Sequence, residues 1–321
     1  MNNQIKSEEL KSAIIKTMVF FDLFNQPLTL FEIYKYLSVK IDLAELSDIL
    51  ESMNDKVKIK NGFYFLSGRE EIVGERFKKY NYFKRKVKIA KRFSQLISFL
   101  PFVKGVAVSN IISSHNLKDN GDIDLFIISS KNKIFLTRFF CVFFAKFLNI
   151  RPNKKTKKDK ICLSFYISED SLNLEKYLYN QDDFYFVYWI VGLEVLVNKN
   201  KIFDRFKMEN KWVENYLPNL KIWDSYSYGG NDKRNGSLRS PFYGGLGRDD
   251  KGGCGNDKGD GSNWVEKISK KIQLKIMPKS LKEKRGRSSG VVFENNIIKL
   301  FLEDKRPEFI DRFKKSLEKF L

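Results

Sequence analysis

Histidine is almost missing from this chain. There is one, His115, among 321 residues, and there are three cysteines, Cys141, Cys162 and Cys254. The cysteines have no pairing or zinc-like spacing, so neither a disulfide framework nor a zinc site is expected. Long apolar runs are lacking too: the stretch 135–150 is interrupted by Arg138 and Lys146 and is too short to span a bilayer. The first residues, MNNQIKSEEL, are polar and show no secretory leader. A reduced, cytoplasmic chain with no membrane association is the expectation. Acidic residues are the minority charge, 39 against 59 basic ones, for a net charge of +20. That balance favours polyanionic partners such as nucleic acid, nucleotides or anionic lipid. Because the lysines are spread along the chain, a drift toward Lys, Asn, Ile and Phe codons accounts for it equally well. What is abundant is apolar material: 42% hydrophobic residues, with 29 phenylalanines, enough for a large core in two or three modest domains.

The stretch 103–129 organises the rest. It reads as a strand at 106–109, a polar connection, and a second strand opening with Asp122-Ile123-Asp124. Side chains alternate along a strand, so the two carboxylates share one face, followed on that face by Phe126 and Ile128, while Ile123, Leu125 and Ile127 face the other way. Two carboxylates one pleat apart at the mouth of an apolar strand form a hard-oxygen site suited to Mg²⁺. Asn-Gly-Asp is also ordinary turn chemistry, in which an aspartate is simply solvated.

The pattern resembles the nucleotidyltransferase superfamily that includes DNA polymerase β, whose motif is an apolar residue, Gly, Ser, a connection, and Asp-apolar-Asp-apolar. Asp122-Ile123-Asp124-Leu125 matches its second half. Its first half falls at Asn110-Ile111, after Gly105-Val-Ala-Val-Ser109, where Asn110 replaces the Gly and Ile111 the Ser. Ile111 has no hydroxyl to donate, and Asn110 carries a side chain where close backbone approach is needed. The resemblance implies that Asp122 and Asp124 hold Mg²⁺ and are the catalytic residues. It also implies that Ser109 and the amides from Asn110 onward bind the phosphates of a nucleoside triphosphate. A nucleoside monophosphate would then pass to an unknown acceptor, a nucleic acid or a protein. The third strand of that family usually brings another carboxylate. Here it reads as 161–167, with Ser164 its one polar residue and Glu169 and Asp170 just past its end. A catalytically degenerate nucleotide- or RNA-binding member of the same fold is therefore the alternative.

Residues 1–68 read as a winged-helix-like domain. Helical periodicity runs over 8–24, Thr29-x-x-Glu32 and Asp42-x-x-Glu45 have the form of helix starts, and Asn61-Gly62 joins two short strands. DNA binding by this unit is a further alternative, although its third helix carries Glu45, Asp48 and Glu51 and no Arg or Lys. The expected fold class is α+β. After the winged-helix-like domain come a basic, aromatic connecting helix (69–100), a nucleotidyltransferase-type mixed sheet flanked by helices (101–175), and a helical region (176–224) with helices at 177–198 and 201–217. A Gly-rich flexible insert (225–262) follows. The C-terminal segment (263–321) has a helix at 264–276, a basic link at 279–289, a hairpin turning at Asn295-Asn296 and a last helix opened by Pro307.

Overall fold

The computed structural model describes residues 2–109, 116–153, 156–220, 263–286 and 290–320. Asn110, Ile111, His115, Cys254 and the Gly-rich insert lie outside the described residues.

The chain opens with three helices, α1 (Asn2–Asp22), α2 (Leu30–Tyr36) and α3 (Leu43–Ser52), and a hairpin of β1 (Val57–Lys60) and β2 (Phe63–Leu66). The capping box at α2 forms in full: Thr29 Oγ1 accepts from Glu32 N–H at 3.3 Å, and Glu32 Oε2 accepts from Thr29 N–H at 2.9 Å. Asp42 makes no such bond at α3, and Glu45 pairs with Lys6 instead. The hairpin turn has φ of 51° at Asn61 and 77° at Gly62. Two consecutive positive φ values match the twist of the flanking strands, which is why Asn-Gly is favoured there.

α4 (Glu71–Ser98) follows as one long helix. Several of its basic residues are structural. Arg76 is buried against Glu32 at 2.8 Å, and Lys79 donates to the carbonyls of Phe24 and Asn25 just past the end of α1.

From Val103 onward the described residues build a six-stranded mixed sheet flanked by helices. In space the strands run β6 (Glu194–Asn198), β3 (Val103–Val108), β4 (Ile123–Ser129), β5 (Ile161–Ser168), β8 (Ile297–Leu300), β7 (Val291–Phe293). β4 and β5 are parallel and every other pair is antiparallel. One face of the sheet (Val106, Ile123, Leu125, Ile127) is covered by Ala90, Phe93 and Ile97 of α4 and by α5 (Ile134–Phe147). The other face (Ala107, Phe126, Ile128, Phe165, Ile167) shares one core with α6 (Phe184–Val191), α7 (Ile202–Glu209) and the three N-terminal helices. Tyr188 of α6 donates its hydroxyl to the Tyr36 carbonyl at 2.9 Å, and the Asn219 side chain bonds the backbone of Val39 and Ile41. The N-terminal unit is thus bound into the body of the protein.

Two helices expected from periodicity are shorter than the pattern suggests. In 177–198 only α6 is a regular α-helix, and Glu194–Asn198 is an edge strand. Val195 and Val197 are β-branched, Gly192 ends the helix, and the edge of β3 supplies the hydrogen-bonding partner. In 201–217 the α-helix stops at Glu209, because Asn210 is buried and uses its side chain as a bracket. It accepts from Leu174 N–H at 2.9 Å and donates to the Leu172 and Phe206 carbonyls, each at 2.8 Å. A short 3₁₀ stretch, Lys211–Asn215, follows.

The C-terminal segment contributes α8 (Asn263–Ile276), the short α9 (Lys279–Lys284) within the stretch read as a link, the β7–β8 hairpin and α10 (Arg306–Leu317). The hairpin turns where expected, but it belongs to the central sheet through β8. Among the described residues no helix is long and apolar enough to cross a membrane.

Candidate functional site

Asp122 and Asp124 stand at the entrance of β4, on the face that continues inward as Phe126. That ring lies 5.2 Å from Phe165 and 5.5 Å from Trp189, so the carboxylates rim an aromatic layer. β5 runs parallel beside β4, with Cys162 opposite Asp124. One ligand atom from each of Asp122, Asp124 and Cys162 lies within 4.8 Å of the others, and all three residues are half-buried. The pairing shifts by one residue between Asp124/Cys162 and Phe126/Phe165. Such a bulge lets a strand present two positions to the same side without strict alternation. Here it sets Cys162 beside the acids while keeping Phe165 in the core below them.

The carboxylate entrance is braced from behind. Lys86 of α4 is fully buried; its ammonium donates to the Gly121 carbonyl at 2.5 Å and to Asp159 at 2.9 Å. Arg85 bridges Asp119 at 2.6 Å and Asp159 at 3.1 Å, and Lys158 adds a contact to Asp119 at 2.8 Å. Ile123 N–H donates to the Lys160 carbonyl at 2.8 Å. The segments leading into β4 and β5 are therefore tied together, which fixes where Asp122 and Cys162 begin. Burial alone would raise the Asp159 pKa, but the hydrogen bonds from Lys86 and Arg85 hold it below the usual carboxylate range.

Burial pushes the Cys162 pKa well above the ordinary value, the Asp124 carboxylate beside it pushes further, and Sγ lies 3.4 Å from the Ser164 hydroxyl. A protonated thiol is a weak metal ligand and no general base. Ser109 is buried next to Asp124; its N–H and Oγ both lie against the Asp124 carbonyl, at 2.8 and 3.3 Å.

The structure thus brings together Asp122, Asp124 and Ser109, and adds Cys162 and Lys86, which the sequence reading passed over. The residue order marks only Ser164 as polar on the third strand, and it is the parallel register that places Cys162 opposite Asp124. Glu169 and Asp170, the acids nearest in sequence to that strand, are at its other end. At about 3.3 Å per residue Glu169 is roughly 20 Å along the strand from Cys162. Glu169 accepts from Lys131 N–H, and Asp170 lines an open depression with Ser171, Asn173 and Glu175. Neither closes the carboxylate site.

Two carboxylates fit a Mg²⁺ ion that keeps waters and takes its remaining ligands from phosphates. The neutral thiol adds no charge to that set. Comparison of the chain with protein-family models, with curated proteins and with solved structures finds no match.

Proposed function

We propose that this chain is a nucleotidyltransferase-like protein of the DNA polymerase β type, acting on a nucleoside triphosphate with Mg²⁺. The convergence of Asp122 and Asp124 at the mouth of β4 carries this reading. In it, the two carboxylates hold the cation from one side of the sheet. A bound Mg²⁺ supplies neutralisation of the charge that develops on the α-phosphate and the leaving pyrophosphate. Lys86 and Asp159 keep the entrance of β4 in register, and the aromatic layer under Asp124 excludes water from beneath the carboxylates. The N-terminal helices and hairpin have the element order of a winged helix. Their shared core with α6 and the acidic exposed side of α3 favour a structural or protein-contacting role over DNA reading.

A second reading is favoured by one observation: on the third strand it is Cys162, and not a carboxylate, that stands opposite Asp124. With no third acid beside Asp122 and Asp124 among the described residues to accept the proton of an attacking hydroxyl, the site would bind the triphosphate with little or no transfer. Nucleotide binding is common to both. In titration calorimetry with Mg²⁺ and a non-hydrolysable triphosphate, Asp122→Ala plus Asp124→Ala is expected to weaken binding at least tenfold. Unchanged affinity in the folded double variant would remove both readings. Transfer of an α-³²P label to any acceptor, lost in the same variant, selects the first and rejects the second.

A further inference from the structure

α8 is turned inside out. Its fully buried positions are polar: Glu266, Ser269 and Gln273 face the protein, with Leu274 partly buried beside them and Met277 just beyond. Those groups are in use. The Glu266 carboxylate accepts from the N–H groups of Phe135 and Leu136 at 2.7 and 2.8 Å, where α5 begins. Gln273 donates to the Phe135 carbonyl at 2.6 Å and accepts from Arg138 at 2.6 Å. This network sets the rotation of the helix. At 100° per residue, Trp264 and Ile268 then fall opposite Glu266 and Gln273, and Ile272 and Ile276 continue that stripe round toward the edge of the buried side. They are 61%, 44%, 41% and 63% exposed. A soluble helix ordinarily does the reverse and buries its apolar stripe.

The flank of that stripe is cationic. Lys267, Lys271 and Lys275 are exposed beside it, and the basic run continues into Lys279, Lys282, Lys284 and Arg285. The one acid of α8, Glu266, points inward. Symmetric pairing of two copies through this helix would set lysines against lysines with no carboxylate on the helix to offset them. An apolar stripe with an aromatic at one end and lysines alongside is the composition of a helix that lies in the headgroup region of an anionic bilayer.

We propose that α8 is a peripheral membrane-docking helix that lays Trp264, Ile268, Ile272 and Ile276 into the surface of an anionic phospholipid bilayer, with Lys267, Lys271 and Lys275 at the phosphate level. This runs against the expectation of no membrane association and is independent of the nucleotide reading. The surface is reached without spanning the bilayer, and the sheet stays on the aqueous side.

The test is flotation of the full chain with vesicles of phosphatidylcholine containing phosphatidylglycerol, against phosphatidylcholine alone. Binding is expected only to the anionic vesicles and is expected to fall as salt rises. Ile268→Ser plus Ile272→Ser should weaken it at least tenfold with an unchanged melting temperature, since both side chains are exposed. Lys271→Glu plus Lys275→Glu should weaken it at least as much. Failure to bind anionic vesicles at low salt overturns the proposal. So does vesicle binding that the two Ile substitutions leave intact, because the apolar stripe then plays no part. A concentration-dependent dimer abolished by those substitutions, with no vesicle binding, assigns the face to a second copy. Saturable binding of an acidic peptide without vesicle binding assigns it to a protein partner.

Discussion

Replacing Cys162 with aspartate places a third carboxylate within reach of Asp122 and Asp124, and its effect can be worked out beforehand. The three ligand atoms lie within 4.8 Å of one another, so each pair of charges at that limit repels by about 3.5 kcal/mol at an effective dielectric of about 20. Partial exposure and salt reduce this to about 1–2 kcal/mol per pair. Without cation, Cys162→Asp should therefore lower stability by about 2–4 kcal/mol, as the new carboxylate meets two others. With a divalent cation the sign reverses, because the same three charges converge on one ion. Affinity for Mn²⁺, followed by loss of the free-ion electron paramagnetic resonance signal, should rise tenfold or more. The melting temperature should recover as the ion is added, by mass action. Transfer activity appearing in Cys162→Asp and missing from the unsubstituted chain would identify the thiol as the reason for a silent site. A folded Cys162→Asp variant that binds Mn²⁺ no more tightly than the parent refutes the reasoning, since the third position would then not face the acids.

Three further outcomes are expected. Lys86→Met removes the buried cation behind the site and leaves Asp159 with Arg85 alone. It should cost about 2–4 kcal/mol in urea unfolding and also weaken Mn²⁺ binding, with Asp122 and Asp124 untouched. Gly105→Ala puts a Cβ 2.7 Å from the Phe203 ring and 2.9 Å from Ile202, an overpacking cost of about 1–3 kcal/mol; Phe203→Leu in the same chain should restore part of it. Burial, aided by Arg306, lowers the pKa of Lys299 to about 8, and burial lowers Lys79 to about 8 as well. Between pH 8 and the unfolded value near 10.5 the unfolded chain holds more protons at these lysines, which contributes a rise of stability with pH. Burial raises the thiols of Cys141 and Cys162, so they contribute the opposite slope once unfolded thiols ionise at about 8.5, and the lysine share is read as a difference between parent and variant below about pH 9.5. Lys299→Met should stabilise the protein at pH 7 and make the slope of urea midpoints against pH less positive than the parent's; an unchanged slope contradicts the assignment.

Much of this molecule was legible one element at a time. The Thr29–Glu32 capping box, the Asn61-Gly62 turn and the alternation after Asp122 are local devices, encoded within a few residues and needing no distant partner. They named helix starts, a hairpin, and the face on which the two acids lie. The assignment of Glu194–Asn198 failed because Val195 and Val197 suit a strand or a short apolar helix equally, and only the open edge of β3 decided between them. Cys162 entered the site through a parallel pairing and a bulge, neither of which leaves a mark in the residue order. Glu169 and Asp170 left it for the same reason, since the direction of β5 carries them to the other end of the sheet. α8 shows the division most clearly. Its sequence specifies an amphipathic helix, but which side meets the protein was set by hydrogen bonds from Glu266 and Gln273 to α5, more than a hundred residues away in the chain. Periodicity is a property of one segment; burial and register are agreements between two, and those exist only once the chain has folded.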